Sequence, residues 1–234
     1  MKQIIKKIPI IGPVARRIYR TWINPPKPFQ GSEDYWKERY EAGGHSGDGS
    51  YNQLAEFKAK TLNTFVSDNQ VTSVIEYGCG DGNQLCFAQY PKYIGFDVSS
   101  NAIDRCKRIF SDDGTKTFKL MESYEGETAE LTLSLDVIYH LVEDPVFVDY
   151  MNRLFDSSER FVIIYSSNTD NNPEATAAHV RHRNFSKWIS EHKKEWKLLK
   201  HSKPLAELHW RSDDPTPFCF ASSEKSLAWT PRMG

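Results

Sequence analysis

The sequence predicts an α/β fold, a doubly wound, seven-stranded, mostly parallel sheet with helices on both faces. Short apolar, β-branched segments alternate with amphipathic ones along most of the 234 residues. The first of them, Val71 to Tyr77, is apolar enough for a strand covered on both faces, and it runs into the turn Gly78-Cys79-Gly80-Asp81-Gly82. The last two strand candidates have no evident helix between them, so the alternation ends in a direct strand pair.

Taken in order, residues 1–30 form an arm that closes on the break Pro25-Pro26-Lys27-Pro28, and residues 31–234 form a single domain. Residues 32–42 read as a short amphipathic helix with Ser32 as its N-cap and Tyr35, Trp36 and Tyr40 on it. Gly43, Gly44, Gly47 and Gly49 follow, with His45, Ser46, Asp48, Ser50 and Tyr51. This segment near 43–51 is either a mobile flap over a bound ligand or a plain flexible loop. A helix over 52–67, carrying Leu54, Phe57, Leu62, Phe65 and Val66, leads into the first strand. Strands are expected near 72–77, 93–97, 115–120, 131–137, 159–166, 195–201 and 216–222. A helix is expected to start after Asn83, through Gln84, Leu85, Phe87 and Ala88. Pro204, Asp213, Asp214 and Pro215 lie in the stretch joining the last two strands.

The charge is unevenly placed. Seven of the 30 basic side chains fall in residues 1–30 with no acid among them, so the remainder carries 23 basic against 31 acidic groups, a net −8. Together with Ile4, Ile5, Ile8, Ile10, Ile11, Val14, Ile18, Tyr19 and Trp22, this arm suits either an anionic membrane surface or packing on its own domain or a partner protein. Pro9 and Pro13 interrupt any long helix there, and no small-residue cleavage site follows. The acidic body lacks a basic stripe with aromatics, which argues against nucleic acid. No apolar run approaches the roughly 20 residues of a membrane span. Cys79, Cys86, Cys106 and Cys219 show no C-x-x-C pair, so reduced thiols and a cytoplasmic protein are expected, either free in the cytoplasm or peripheral at the inner membrane face.

The glycine spacing decides the cofactor. A dinucleotide fingerprint needs its third glycine at position 83, which is Asn, so a nicotinamide cofactor is not expected. The spacing present is G-x-G-x-G, with Glu76 two residues before the first glycine. Tyr93 to Val98 is a second short strand with Asp97 at its end, 19 residues past Gly78. That position suits a carboxylate reaching ribose hydroxyls, and Asp97 also suits a cap for the helix starting near Ser99. The string resembles motif I of the class I S-adenosylmethionine (SAM) dependent methyltransferases. The resemblance covers residues 52–224, and it implies the class I methyltransferase fold, whose last strand inserts antiparallel to the others. It implies SAM as cofactor and S-adenosylhomocysteine (SAH) as product. Gly78, Cys79, Gly80 and Gly82 would hold the methionine part, with Glu76 near its ammonium group. Asp97 and Val98 would face ribose and adenine, Met121 and Glu122 adenine, and Leu135 the cofactor from the fourth strand.

The fourth strand and its end, Leu131 to Leu141, resemble motif IV of small-substrate members, which lies at the transferred methyl. Methyl transfer is an in-line displacement in which the acceptor must lose a proton, so a base within hydrogen-bond reach helps as the bond forms. His140 is the candidate base, with Asp136 beside it; the competing reading is a histidine packed at a helix start. After the fifth strand, His179-Val180-Arg181-His182-Arg183 reads as a substrate rim, joined by Tyr51 from the flap, because guanidinium forks match carboxylate and phosphate. The competing reading is a solvated helix start, with Phe185 and Trp188 facing the core. A divalent metal on Asp136 and Asp170-Asn171 is conceivable but not favoured, since the pair lies several residues beyond the strand end.

Within the family, the arm, the segment from Tyr35 to Phe57 and His-Val-Arg-His-Arg resemble small bacterial methyltransferases acting on cell-surface or polysaccharide sugars. The resemblance therefore implies O-methylation of a sugar or glycan precursor. The alternatives are a methyltransferase acting on another small metabolite and a noncatalytic SAM-binding subunit of a glycan assembly complex. No Asn-Pro-Pro-Tyr type motif follows the fourth strand, which argues against nucleobase or glutamine amino groups.

Overall fold

The structure, a computed structural model, describes residues 28–201 and 216–222. The basic arm expected at 1–30 lies outside the described residues except for its last three positions, as does the stretch joining the last two strands. The chain divides after Gln30 into two units, and the elements below belong to the second, Gly31–Gly234.

Seven strands form one sheet: β1 (Ser73–Tyr77), β2 (Lys92–Asp97), β3 (Lys116–Leu120), β4 (Ala129–Leu135), β5 (Ser158–Ser166), β6 (Trp196–His201) and β7 (Thr216–Ser222). Their order is β3-β2-β1-β4-β5-β7-β6. The first five strands pair in parallel, whereas β7 runs antiparallel to both β5 and β6. The strand order reverses between β1 and β4, which opens a crevice at their carboxyl ends, where sheets of this type take ligands.

Among the described residues five helices accompany the sheet: α1 (Ser32–Glu41), α2 (Asn52–Asp68), α3 (Ser100–Ile109), α4 (Asp144–Asp156) and α5 (Phe185–His192). Alternate residues of each strand face opposite sides, and each side has its own core. On one face Leu62 and Val66 of α2 and Ile103 and Cys106 of α3 pack on Val74, Tyr93, Leu133 and Ile163. On the other, Phe147, Met151 and Leu154 of α4 and Phe185 and Ile189 of α5 pack on Ile75, Tyr77, Val162 and Ile164. Both faces are thus covered, as near-continuous apolar strands require. Among the described residues, no helix is long and apolar enough to cross a membrane, and Cys79, Cys86 and Cys106 are free thiols.

Three expectations are corrected. The helix expected after Asn83 is only a 3₁₀ turn, Gln84–Phe87. Asn63 of α2 accepts the Gln89 N–H and donates to the Phe87 carbonyl, taking the groups a helix would need, and Pro91 closes the segment. Ser32 is not an N-cap but the first residue of α1, whose N-cap is Gly31. The Ser32 N–H and hydroxyl instead donate to the Glu143 carboxylate, so the helix is capped from a distant loop. The fourth strand begins at Ala129 and stops at Leu135, because Asp136 turns left-handed with φ 60°.

Candidate functional site

The carboxyl ends of β1 and β4 open into a cavity of about 300 Å³. Its floor is the glycine turn. Gly78 has φ +79°, and a Cβ there would stand 2.5 Å from Val137 Cγ2; Gly80 has φ +59°, and a Cβ would run into Ser46 Oγ. The Gly78 and Cys79 N–H groups both donate to the Phe96 carbonyl, fastening the turn to β2. Asp97, at the end of β2, accepts the Gly80 N–H at 3.0 Å and the Ser99 N–H at 2.9 Å, while the Ser99 hydroxyl caps α3. Burial outweighs these hydrogen bonds and pushes the Asp97 pKa up to about 6.

Behind the turn lies Glu76, which accepts the Tyr93 hydroxyl at 2.7 Å and is 3 % exposed. Burial raises its pKa to about 7 against the opposing effects of Tyr93 and Lys58. Met121 and Val98 form the side of the cavity at the ends of β3 and β2, and Leu135 closes it from β4.

The opposite end is built by the turn after β4. Asp136 accepts Lys58 Nζ at 2.6 Å on one carboxylate oxygen and the Tyr139 hydroxyl at 3.0 Å on the other. Lys58 belongs to the buried stripe of α2 and also stands 5.1 Å over the Tyr165 ring. His140 ends the 3₁₀ turn Ile138–His140, and its Nδ1 lies 3.1 Å from the His179 carbonyl. A carbonyl only accepts, so Nδ1 carries the hydrogen and Nε2 of the neutral ring keeps its lone pair. Burial lowers the His140 pKa to about 4. Its ring meets Trp36 edge-on at 4.8 Å. Further wall comes from Trp36 and Tyr40 of α1, from Ser46 and Ser50 of the glycine-rich segment, and from Leu141 and α4 residues Val146, Asp149, Tyr150 and Arg153.

Residues 68–208 match the model of a family described as a methyltransferase domain. The chain belongs to this family. It is a class I, SAM-dependent methyltransferase. Its fold is shared by the N-methyltransferase NodS from Bradyrhizobium japonicum WM9 in complex with SAH, at TM-score 0.62 and 14% identity over 82% of this chain and 99% of that one. Magnesium protoporphyrin IX methyltransferase (ChlM) from Synechocystis PCC 6803 with bound SAH follows at 0.56 and 14%, over 90% and 99%. The methyltransferase domain of bacterial-CtHen1-C gives 0.58 and 17%, over 73% and 98%. No curated protein matches the chain in sequence.

The residues of this methyltransferase fit SAM. The floor is one that a Cβ at Gly78 or Gly80 would fill, and the Asp97 carboxylate faces the cavity beside it. When bound, SAM supplies a methyl group on a positively charged sulfur. Of the residues the sequence pointed to, Gly78, Gly80, Asp97, Val98, Met121, Leu135, Asp136 and His140 line this one cavity.

Others stand elsewhere. Glu76 is turned to Tyr93 beneath the floor. A Cβ on Gly95 would meet the Cys79 side chain at 2.9 Å, and one on Gly82 would meet the Cys106 sulfur at 3.0 Å. Glu122 is exposed next to Met121. The expected rim is not a set of free guanidinium forks. Arg183 donates to the Leu141 and Val142 carbonyls, pairs with Asp144 and lies over the Phe147 ring, and Arg181 donates to Val142 and pairs with Asp144. Both therefore brace the loop that carries His140. His179 stacks on Tyr35 at 4.1 Å, and His182 Nδ1 lies 2.7 Å from the Ser167 hydroxyl. The Tyr51 hydroxyl donates to Asp81 rather than facing the cavity. Asp170 accepts the Asn184 N–H, and among the described residues no group of three metal-ligating side chains gathers.

Sequence reasoning missed Lys58 and Asp81 and did not assign Trp36 or Tyr40 to the site. Lys58 had a legible signal, a charge on the otherwise apolar stripe of Ala55, Ala59, Leu62 and Val66.

Proposed function

We propose that this methyltransferase transfers the methyl group to a hydroxyl of a sugar or glycan precursor, with His140 taking the hydroxyl proton on Nε2. The observation that carries this reading is the His140–His179 contact. It leaves a neutral imidazole with its lone pair free at the cavity, and burial keeps that ring uncharged at neutral pH. A hydroxyl needs such a proton acceptor only as its bond to carbon forms, when it becomes acidic. Trp36, Leu141 and Val146 add an apolar wall suited to the C–H face of a sugar ring.

The test incubates the protein and SAM with nucleotide sugars and oligosaccharides bearing free hydroxyls, and in parallel with small amines, following SAH release and the mass of the acceptor. Methylation of a sugar oxygen is expected. His140→Ala should lower turnover by about 10²–10⁴ while SAM affinity stays close to that of the parent protein. Methylation confined to amines, or turnover indifferent to His140, overturns the reading.

A further inference from the structure

Asp81 sits in the middle of the glycine turn, fully buried, and its carboxylate is pointed away from the cavity floor toward the glycine-rich segment. It gathers donors from two points of that segment. Ser46 donates its N–H at 3.2 Å and its hydroxyl at 2.8 Å, and the Tyr51 hydroxyl donates at 2.7 Å. The Asn83 N–H and, at 3.5 Å, the Arg105 guanidinium complete the set. Burial alone would raise the pKa of this carboxylate, but the hydrogen bonds from Tyr51 and Ser46 outweigh it and hold the pKa below the usual range.

The contact is reciprocal. Ser46 Oγ accepts the Asp81 N–H at 3.0 Å, and since its own hydrogen goes to the carboxylate, the Tyr40 hydroxyl must donate to it at 2.9 Å. Asn83 Nδ2 adds a bond to the Ser50 carbonyl at 2.7 Å. Apart from these fastenings the segment is held by short-range bonds, Arg39 Nε to the His45 carbonyl, the Gly47 N–H to His45 Nδ1 and its own turn hydrogen bonds. Gly43 and Gly47 have φ +78° and +95° with open space around them, and Asn52, where α2 begins, has φ +53°. Left-handed residues at both margins are the kind of positions that absorb a hinge motion.

We infer that Asp81 is a positioning residue that latches segment 43–51 shut over the cofactor, with Ser46 and Tyr51 as the catch. The latch completes the cavity, since Ser46 and Ser50 form part of its wall. Gly80 is required for the same closure, because a Cβ there would occupy the place of Ser46 Oγ. SAM enters and SAH leaves when the catch lets go. This inference is independent of the acceptor and rests on the cofactor site alone.

SAH is the probe, mixed with the full chain in a stopped-flow instrument and followed by tryptophan fluorescence, with Trp36→Phe identifying the cavity signal. Tyr51→Phe removes one catch donor without touching the turn, and Tyr51 is half-exposed, so the variant folds. It should raise the SAH dissociation rate about tenfold, and raise the association rate as well, leaving affinity less changed than either rate. Asp81→Ala, which removes both acceptors, should do the same or more, and Tyr51→Phe should add nothing in the Asp81→Ala background. An unchanged dissociation rate in Tyr51→Phe, or effects of the two variants that simply add, overturns the latch. Failure of the parent protein to bind SAH overturns the cofactor site itself, a distinct outcome.

Discussion

Lys58 Nζ stands 2.6 Å from Asp136 Oδ2, an ion pair whose side chains are 2 % and 9 % exposed, at the point where β4 opens into the cavity. Removing one member of a buried pair leaves the other charge uncompensated, at a cost of about 3–5 kcal/mol. Lys58→Met is therefore expected to lower the unfolding midpoint by about 6–20 °C, at about 2–4 °C per kcal/mol for a domain of this size. Adding Asp136→Asn should recover most of that loss, because the uncompensated charge is gone. Calorimetry on the two single variants and the double variant checks this; a double variant less stable than Lys58→Met shows that the pair is not the source of the effect.

Elsewhere in the cavity, His140 is expected to stay neutral well below the usual histidine range. Burial is the largest effect on it, and it outweighs the hydrogen bond to His179. An ¹⁵N imidazole spectrum at pH 6 should show a neutral ring protonated on Nδ1, with half-titration at about pH 4. A ring that carries its hydrogen on Nε2 removes the basis for its role as proton acceptor, and one that titrates near 6.5 shows that the ring is hydrated rather than buried.

The sheet and its cofactor end were legible because their signals are local. A buried strand, positive-φ glycines and an acid at the end of the next strand all lie within residues 71–98, and each has a physical reason at its own position. The acceptor end depends on pairings that local periodicity does not carry. Lys58 meets Asp136 across 78 positions, and Arg183 meets the Leu141 carbonyl across 42. Two arginines beside two histidines look like an anion grip when read along the chain. Folding instead turns both onto the backbone of the loop after β4. The short crossover after the glycine turn was misread for a related reason, since Asn63, on a different element, takes the groups that a helix would have used.

Glu76 predicts a pH effect on stability. Its folded pKa, about 7, lies above the ordinary value of 4.5, so the folded state binds a proton that the unfolded chain gives up. The stability this confers is full below about pH 4.5 and is lost as pH rises through about 7. Glu76→Gln keeps an acceptor for the Tyr93 hydroxyl without the titration. Unfolding free energies of the variant and the parent protein should coincide near pH 4 and diverge toward pH 8. There the variant should be more stable by something on the order of 2–3 kcal/mol. Curves that stay parallel from pH 5 to 8 would mean that Glu76 titrates alike in both states.

The loop after β4 also holds the roof of the cavity. Glu143 accepts the Ser32 N–H at 2.9 Å and the Ser32 hydroxyl at 2.6 Å, while the Ser32 hydroxyl accepts the Val142 N–H, so the first turn of α1 is tied beside His140. Burial tends to raise the Glu143 pKa, and the Ser32 hydrogen bonds more than offset it. Glu143→Ala should cost about 1–2 kcal/mol, the usual loss for a helix cap. It should also loosen Trp36, which covers the His140 ring. Because burial is what depresses the His140 pKa, that loosening has a definite sign. Half-titration should move up from about 4 toward 6.5 in Glu143→Ala, and by less in Glu143→Gln, which keeps one carbonyl acceptor. The same imidazole titration reads both variants, and an unmoved His140 in Glu143→Ala would show that α1 is held over the cavity by its other contacts.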